Sequence, residues 1–403
     1  MKPIRYIFSI IFTTIVVAIL ASCSDSSDEP PITPEPPVEE GTTRTVLVYM
    51  EGKNNLAGYA RADIQEMKEG AKQGLNGGRL LVYRSLSGGT APELIEILED
   101  GSEQVLKSYA AGTSALTIAQ MRAVVEESRA QAPAKDYALI FWNHGTGWIS
   151  DDNTIVESQA LGRSGSDQLI QPLWYGAEQP GDKHMKITSI AKALEGLRFS
   201  FIYFDCCHMG AVEVAYELRK STDWFIASAT ELGVSGMPYD KNLSCFFAST
   251  PDLSGAMFNT FNFYDKIFND SQAVDRYGCS ISQISSAGLE QLGRQVKTIL
   301  SSTQYPEDYE KVPYYRTVIM PTGLFDLYDY IHARTSDAAQ LTAFDTAFKS
   351  VVSRHLTTPR VYTLDASKFH GLSMHILGPD DDPSYLGYDE LAWYNDFIKP
   401  TLR

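Results

Sequence analysis

The sequence predicts an α/β domain built on a mostly parallel central sheet, and two observations carry this. Apolar runs of strand length alternate with amphipathic helical periods from Thr43 to Trp142, the alternation of a parallel sheet covered by helices. Two of these runs, Tyr137–Trp142 and Phe199–Phe204, are almost continuously apolar, as in strands buried on both faces. Each then breaks into residues that carry chemistry: Asn143, His144, Gly145, Thr146, Gly147 and Trp148 follow the first, and Asp205, Cys206, Cys207 and His208 the second. Ligands bind at the carboxyl ends of strands in open α/β sheets. If the two strands are parallel neighbours, His144 and a cysteine meet at one edge.

In chain order, Thr43–Met50 reads as the first strand, ending in the polar loop Glu51–Asn55. Leu56–Ala71 is a helix with Ile64, Met67 and Ala71 on one face, closed by the glycines Gly74 to Gly78. Arg79–Arg84 is a strand, Glu93–Leu98 a hairpin arm, Ser114–Ala130 a helix and Tyr137–Trp142 the third strand. Asp151–Lys183 has no clear period and reads as a long functional insertion. A helix over Ile187–Leu197 leads into the Phe199 strand, and a helical pattern over Ala211–Leu218 leaves it. Then come a strand at Trp224–Ser228, a loop at Ala229–Asp240 and a strand at Cys279–Ile284. Helices follow at Ala287–Leu300, Leu324–Ala333 and Ala339–His355. A late strand at Gly371–Leu377, a turn at Pro379–Pro383 and a helix at Asp389–Ile398 close the chain.

Length and charge narrow the function. A chain of 403 residues, 44% hydrophobic and 21% charged, buries a substantial core. A formal charge of -16 argues against nucleic acid as a partner, since phosphate binding needs a basic patch. It is compatible with a basic peptide ligand, and equally with a charge that serves solubility alone.

The amino terminus sets the expected compartment. Lys2 and Arg5 precede an apolar stretch, Tyr6–Leu20, too short for a comfortable membrane span, and Leu20-Ala-Ser-Cys23 follows. This resembles the lipobox of bacterial lipoproteins, in which residues 1–22 would be a cleaved signal and Cys23 the lipid-bearing residue; multiple acyl chains anchor strongly. Residues 23–42, rich in Pro, Ser and acids, read as a disordered tether, and 43–403 as a single domain with a carboxyl-terminal extension. The acidic run after Cys23 is similar to surface-export signals of some Gram-negative lipoproteins, so the expected place is the outer membrane or cell surface, held through the lipid. Export permits disulfides. The adjacent Cys206 and Cys207 are poorly spaced to bridge each other, whereas a Cys245–Cys279 bridge is compatible with the sequence.

The chemistry expected is nucleophilic. A histidine next to a cysteine can activate the thiol and later protonate a leaving amine. A helix start just after Cys207 would lower its pKa. Gly145 allows backbone N–H groups to approach a substrate carbonyl as an oxyanion hole, and Asp205 could receive a positive side chain.

The constellation resembles the clostripain family of cysteine peptidases, which share the caspase-like α/β/α sandwich. The matching pieces are Val46–Met50 with Asn54, Asn55 and Leu56, then Asn143–Trp148, Phe204–Gly210 and Gly371–Met374. They recur in the family's order over residues 45 to 398. The resemblance implies His144 as general base, Cys207 as nucleophile and Asp205 as selector of Arg or Lys, with peptides or proteins carrying basic residues as substrates. Two departures from the family's Asp-Ala-Cys-Leu-Met-Gly stand out: Cys206 replaces alanine, and His208, expected to face solvent, replaces leucine. Some members mature by cutting themselves between the histidine and the cysteine, where this chain offers Arg163, Lys183 and Lys186, Arg163 being the most loop-like. Calcium dependence is known in the family but no EF-hand spacing occurs here, so no cofactor is required and calcium stays open.

Two other readings are weighed. A metal site from His144, Asp205, Cys206, Cys207 and His208 is disfavoured because adjacent thiols do not match the C-x₂-C spacing of structural zinc. A non-catalytic surface lipoprotein that binds peptides or proteins through the same fold is the alternative function.

Overall fold

The computed structural model describes residues 42–88, 91–148, 184–272, 277–304, 311–315, 324–378 and 381–402. The leader, Cys23, nearly all of the tether, and the insertion with Arg163 and Lys183 lie outside the described residues.

The first half follows the predicted alternation. Strand β1 (Thr45–Gly52), helix α1 (Ala57–Ala71), strands β2 (Arg79–Leu86), β3 (Glu93–Ile97) and β4 (Glu103–Ser108), helix α2 (Ile118–Gln131) and strand β5 (Tyr137–Trp142) come in order. Then α3 (Ile187–Ala193), β6 (Phe201–Asp205), α4 (Val212–Leu218) and β7 (Trp224–Ser228) complete the parallel core. The sheet has nine strands, the two last named below, in the order β10-β8-β7-β6-β5-β1-β2-β3-β4. β2, β1, β5, β6 and β7 are parallel. Both margins are antiparallel: β3 and β4 form a hairpin against β2, and β8 pairs antiparallel with β7 on one side and with β10 on the other.

Side chains alternate across the strands, and the core divides accordingly. Leu139 and Phe141 of β5 and Ile202 and Phe204 of β6 join the cluster under α2, α3 and α4. Ala138, Ile140 and Trp142 with Phe201 and Tyr203 join the cluster under α1 and two further helices, α5 (Tyr239–Phe246) and α6 (Leu253–Asn269). Neither α5 nor α6 was legible in the sequence.

The carboxyl-terminal third departs most from expectation. After β8 (Ser280–Ser285) and α7 (Leu289–Ser302), the helix expected over Leu324–Ala333 begins as a strand, β9 (Leu324–Asp326), and becomes helical only as α8 (Leu327–Arg334). The helix expected over Ala339–His355 is α9 (Ala338–Val351), and its last turn is instead the edge strand β10 (Val352–Thr357), paired antiparallel with β8. Val352 and Thr357 are β-branched and side with the sheet once an unpaired edge is available. A small hairpin, β11 (Arg360–Val361) and β12 (Leu364–Asp365), precedes β13 (Ser373–His375), which pairs with β9. The closing helix resolves into a 3₁₀ turn at Tyr385–Glu390 and a π-helical turn at Tyr394–Ile398. Cys206, Cys207, Cys245 and Cys279 are all free thiols, so the bridge compatible with the sequence is not made.

Candidate active site

Register brings the two motifs together. Trp142 of β5 is level with Asp205 of β6, and Met50 of β1 with Trp142. His144 and Cys207 therefore each lie two residues beyond the same rung, on adjacent strands spaced about 4.8 Å apart. The rung falls at the reversal of strand order, because β1 is followed in sequence by β2 on one side while β5 lies on its other side. Even parity points Trp142, Asp205 and Cys207 to the α1 and α5 face, and Cys206 to the opposite one.

Gly145 makes this juxtaposition close. A Cβ there would stand 2.5 Å from the carbonyl oxygen of Cys207 and 3.0 Å from Cβ of Cys206, so only glycine lets the two strand ends touch. Gly145→Ala is expected to force them apart and lower kcat/KM at least about tenfold, as misplaced reacting groups do. Kinetics beside a melting curve check this; wild-type kinetics would remove the steric account.

The end of β1 orients the histidine. Asn55 Oδ1 is 2.8 Å from His144 Nε2, Asn143 Oδ1 accepts from the His144 backbone N–H at 2.6 Å and from Asn54 Nδ2 at 3.0 Å, and Asn143 Nδ2 donates to Glu51. With Nε2–H donated to Asn55, the basic nitrogen of His144 is Nδ1. The sequence singled out Asn54 and Asn55 only as part of a motif; Glu51 and the role of Asn55 had no local signal.

His144, Asp205 and Cys207 line one cleft with Leu56, Trp142 and the Leu232–Gly236 segment. Its volume is about 40 Å³, room for water but not for an arginine side chain. Cys207 Sγ accepts from the Leu232 N–H at 3.3 Å and lies 3.6 Å from the Leu232 carbonyl oxygen. Burial pushes the thiol up to about 12 and the His144 imidazole down to about 4. This corrects the expectation of a helix-lowered thiol: α4 begins only at Val212, with Ala211 as its cap, and the dipole effect is confined to a helix's first turn. At neutral pH the closed site thus holds a neutral thiol beside a neutral base. Iodoacetamide labelling of Cys207, read by mass spectrometry on its peptide, is expected to run at least tenfold slower than for free cysteine at about pH 7 and to keep rising with pH through the alkaline range. A plateau near pH 8 would mean an ordinary thiol.

Asp205 is buried, with Oδ2 accepting from the Met237 N–H at 3.3 Å and the Tyr239 hydroxyl at 3.1 Å. The other motif residues separate from it. Cys206 is buried in the opposite core and directs its thiol at the Phe141 carbonyl, 3.3 Å away. His208 does not face solvent as expected: it is buried with φ +58°, its Nδ1 3.2 Å from the Ala229 carbonyl and its Nε2 3.6 Å from buried Glu231. Strand β7's exit, Ala229–Leu232, covers this part of the motif, so the loop that follows Cys207 is locked from both sides. Lys186 lies apart, capping α3 and paired with Glu390 at 2.9 Å.

Among the described residues the group that brings metal-type ligand atoms together is Asp326, Asp329 and His370, none of them in the cleft motif. Asp326 is already saturated by Tyr315 OH, the His370 and Asp329 backbone N–H groups and His370 Nδ1. It ties β9 to the segment before β13.

The sequence model of the clostripain family matches residues 48–357. The chain belongs to the clostripain family. It is similar to the inactive zymogen of a C11 protease from Parabacteroides distasonis, with 25% identity and a TM-score of 0.74 over 89% of this chain and 99% of that one. It is also similar to a secreted C11 cysteine protease from Bacteroides thetaiotaomicron in complex with an irreversible peptide inhibitor, with 27% identity and a TM-score of 0.76 over 89% and 99%. No curated protein matches the chain. This clostripain-family member is a cysteine peptidase of caspase-like α/β architecture, and its substrates are peptides. Nothing in these relatives supports the binding-only alternative. Among the described residues no helix is long and apolar enough to cross a membrane.

Proposed function

We propose that this peptidase cleaves after arginine or lysine, with Cys207 as nucleophile, His144 as base and acid, and Asp205 as the group that receives the basic side chain. The observation that carries the reading is the shared rung: one cleft holds an imidazole with its outer nitrogen fixed by Asn55, a thiol, and a buried carboxylate that meets no cation among the described residues. In the reaction the Cys207 thiol passes its proton to His144 Nδ1 as sulfur bonds to the carbonyl carbon. The Gly145 N–H stands where the oxyanion develops. Collapse breaks the C–N bond, the imidazolium protonates the departing amine, and water, deprotonated by His144, hydrolyses the thioester.

The closed cleft supports a precursor that matures by cutting itself, as does the likeness to an inactive zymogen. Of the candidates Arg163, Lys183 and Lys186, Lys186 suits this least, because it caps α3 and the next residue, Ile187, is buried. Arg163 is the favoured site and Lys183 the second. One intact chain in fully active enzyme would remove self-processing. The likeness to a relative described as secreted, together with Leu20–Cys23, supports export with lipid on Cys23 and an outer-membrane or surface location; mass spectrometry of the mature amino terminus tests it.

Fluorogenic peptides with Arg, Lys, Ala or Asp before the scissile bond test the specificity. Arg and Lys peptides are expected to be cleaved at least about 100-fold faster than the others, the scale a buried charge pair supplies. Equal cleavage of the Ala peptide would overturn it.

A further inference from the structure

We propose that Asp63 is a second carboxylate of the specificity pocket, so that the guanidinium or ammonium group of the substrate sits between Asp63 of α1 and Asp205 of β6. The inference rests on the reading of Asp205 given above.

Asp63 is buried on the inner face of α1, beside Ile64 and Met67. Its Oδ2 accepts 2.6 Å from Trp142 Nε1, the residue level with Asp205 on the neighbouring strand. Both acids converge on one point. The position a Cβ on Gly236 would take is 2.9 Å from Asp205 Oδ2 and 3.0 Å from Asp63 Oδ2, so the two carboxylates lie no more than about 6 Å apart, within the range of strong like-charge coupling.

Neither acid has a cationic partner among the described residues: Asp63 has Trp142, and Asp205 has Met237 N–H and Tyr239 OH. Uncompensated buried charge is costly, and buried acids that serve only the fold are paired or replaced. Two of them aimed at one point beside a candidate nucleophile are accounted for by a cation that arrives with the substrate.

What fills the point now is the Gly233–Met237 turn. Gly236 has φ +61° and no side chain, and Tyr264 OH donates to the carbonyls of both Gly233 and Gly236 at 2.9 Å. A basic side chain reaching both acids displaces this turn. Burial holds both carboxyl groups above the ordinary range, with repulsion from Asp205 and Glu66 adding at Asp63 and repulsion from Glu66 adding at Asp205. The groups facing Asp63 are Asp205 from β6, Glu66 from α1, Tyr239 from α5 and the Trp142 N–H from β5; none of them is a cation. The pair therefore holds a proton at neutral pH in the closed site, and a cation that ionises both acids releases that proton to solvent.

The test compares wild type, Asp63→Asn and Asp205→Asn on peptides with arginine or its neutral isostere citrulline before the scissile bond. Asparagine keeps an acceptor for Trp142. Asp63→Asn is expected to lower the arginine to citrulline ratio of kcat/KM about 10- to 100-fold. An unchanged arginine to citrulline ratio in Asp63→Asn, with the ratio lost in Asp205→Asn, overturns the role of Asp63 and leaves Asp205 as selector. A ratio unchanged in both overturns the reading of Asp205 and this proposal with it. Should Asp63→Asn fail to fold, calorimetry of agmatine binding to active wild-type enzyme, in buffers of different ionisation enthalpy, replaces it. Release of more than one proton per agmatine at about pH 6, more than Asp205 alone can supply, supports the proposal, and release of one or fewer overturns it.

Discussion

Replacing Cys207 by alanine is expected to abolish peptide cleavage, by at least about 10³-fold in kcat/KM, the scale of removing a nucleophile from a group of residues that act as a unit. Cys206→Ala is expected to leave kcat/KM within about twofold. Both residues border the cleft, but their thiols part: that of Cys206 turns into the core under α2, α3 and α4 toward the Phe141 carbonyl, while that of Cys207 lies against Leu232 on the face of the sheet under α1 and α5. Loss of the Cys206 sulfur costs about 1 kcal/mol of packing and reaches the site only through stability. Steady-state kinetics of both variants, with a melting curve for each, decide the matter. Activity retained in Cys207→Ala and lost in Cys206→Ala would exchange the roles and undo the mechanism above.

Asp205→Asn is expected to cut kcat/KM for arginine and lysine peptides by about 10² to 10³, since it removes one partner of a fully desolvated charge pair, and to leave alanine peptides unaffected. Stability is expected to respond differently. Burial holds the Asp205 carboxyl above its ordinary range, so the folded chain keeps a proton that the unfolded chain has released. The stability this gives is complete below about pH 4 and is lost as pH rises through the folded pKa. Asparagine has no such proton, and the melting temperature of Asp205→Asn is expected to fall less between about pH 5 and pH 8 than that of wild type. Parallel curves would mean that Asp205 is not held protonated in the folded state. Kinetics and melting thus report separately on selection and on burial.

The parallel core was legible because its signals are local. A strand buried on both faces is apolar over most of its length, as β5 is throughout and β6 is up to its last residue, Asp205; the polar residues that end them announce themselves by contrast. The same reading placed α1, α2 and α7 within a few residues at their ends. It missed β10 because the helical period of α9 runs on into Val352 and beyond, and the pairing that makes those residues a strand comes from β8, about 70 residues earlier in sequence. It gave no element to the stretch now seen as α5 and α6, which cover the face that carries the cleft.

Within the site the division is the same. The sequence by itself determined which residues end the two central strands, an imidazole after β5 and an acid and a thiol at the end of β6. Their shared rung came from the sheet: the apolar runs Tyr137–Trp142 and Phe199–Phe204 laid end to end put Trp142 beside Phe204, whereas β5 and β6 pair one residue on, Trp142 with Asp205. Only the tertiary structure decided their state. Burial, which no single stretch encodes, leaves Cys207 and His144 both neutral, turns His208 inward against Glu231, and brings Asp63 from a helix more than a hundred residues away to face Asp205 across Gly236. Desolvation and like-charge coupling depend on every element packed around a group, so they arise only once the chain has closed around the site.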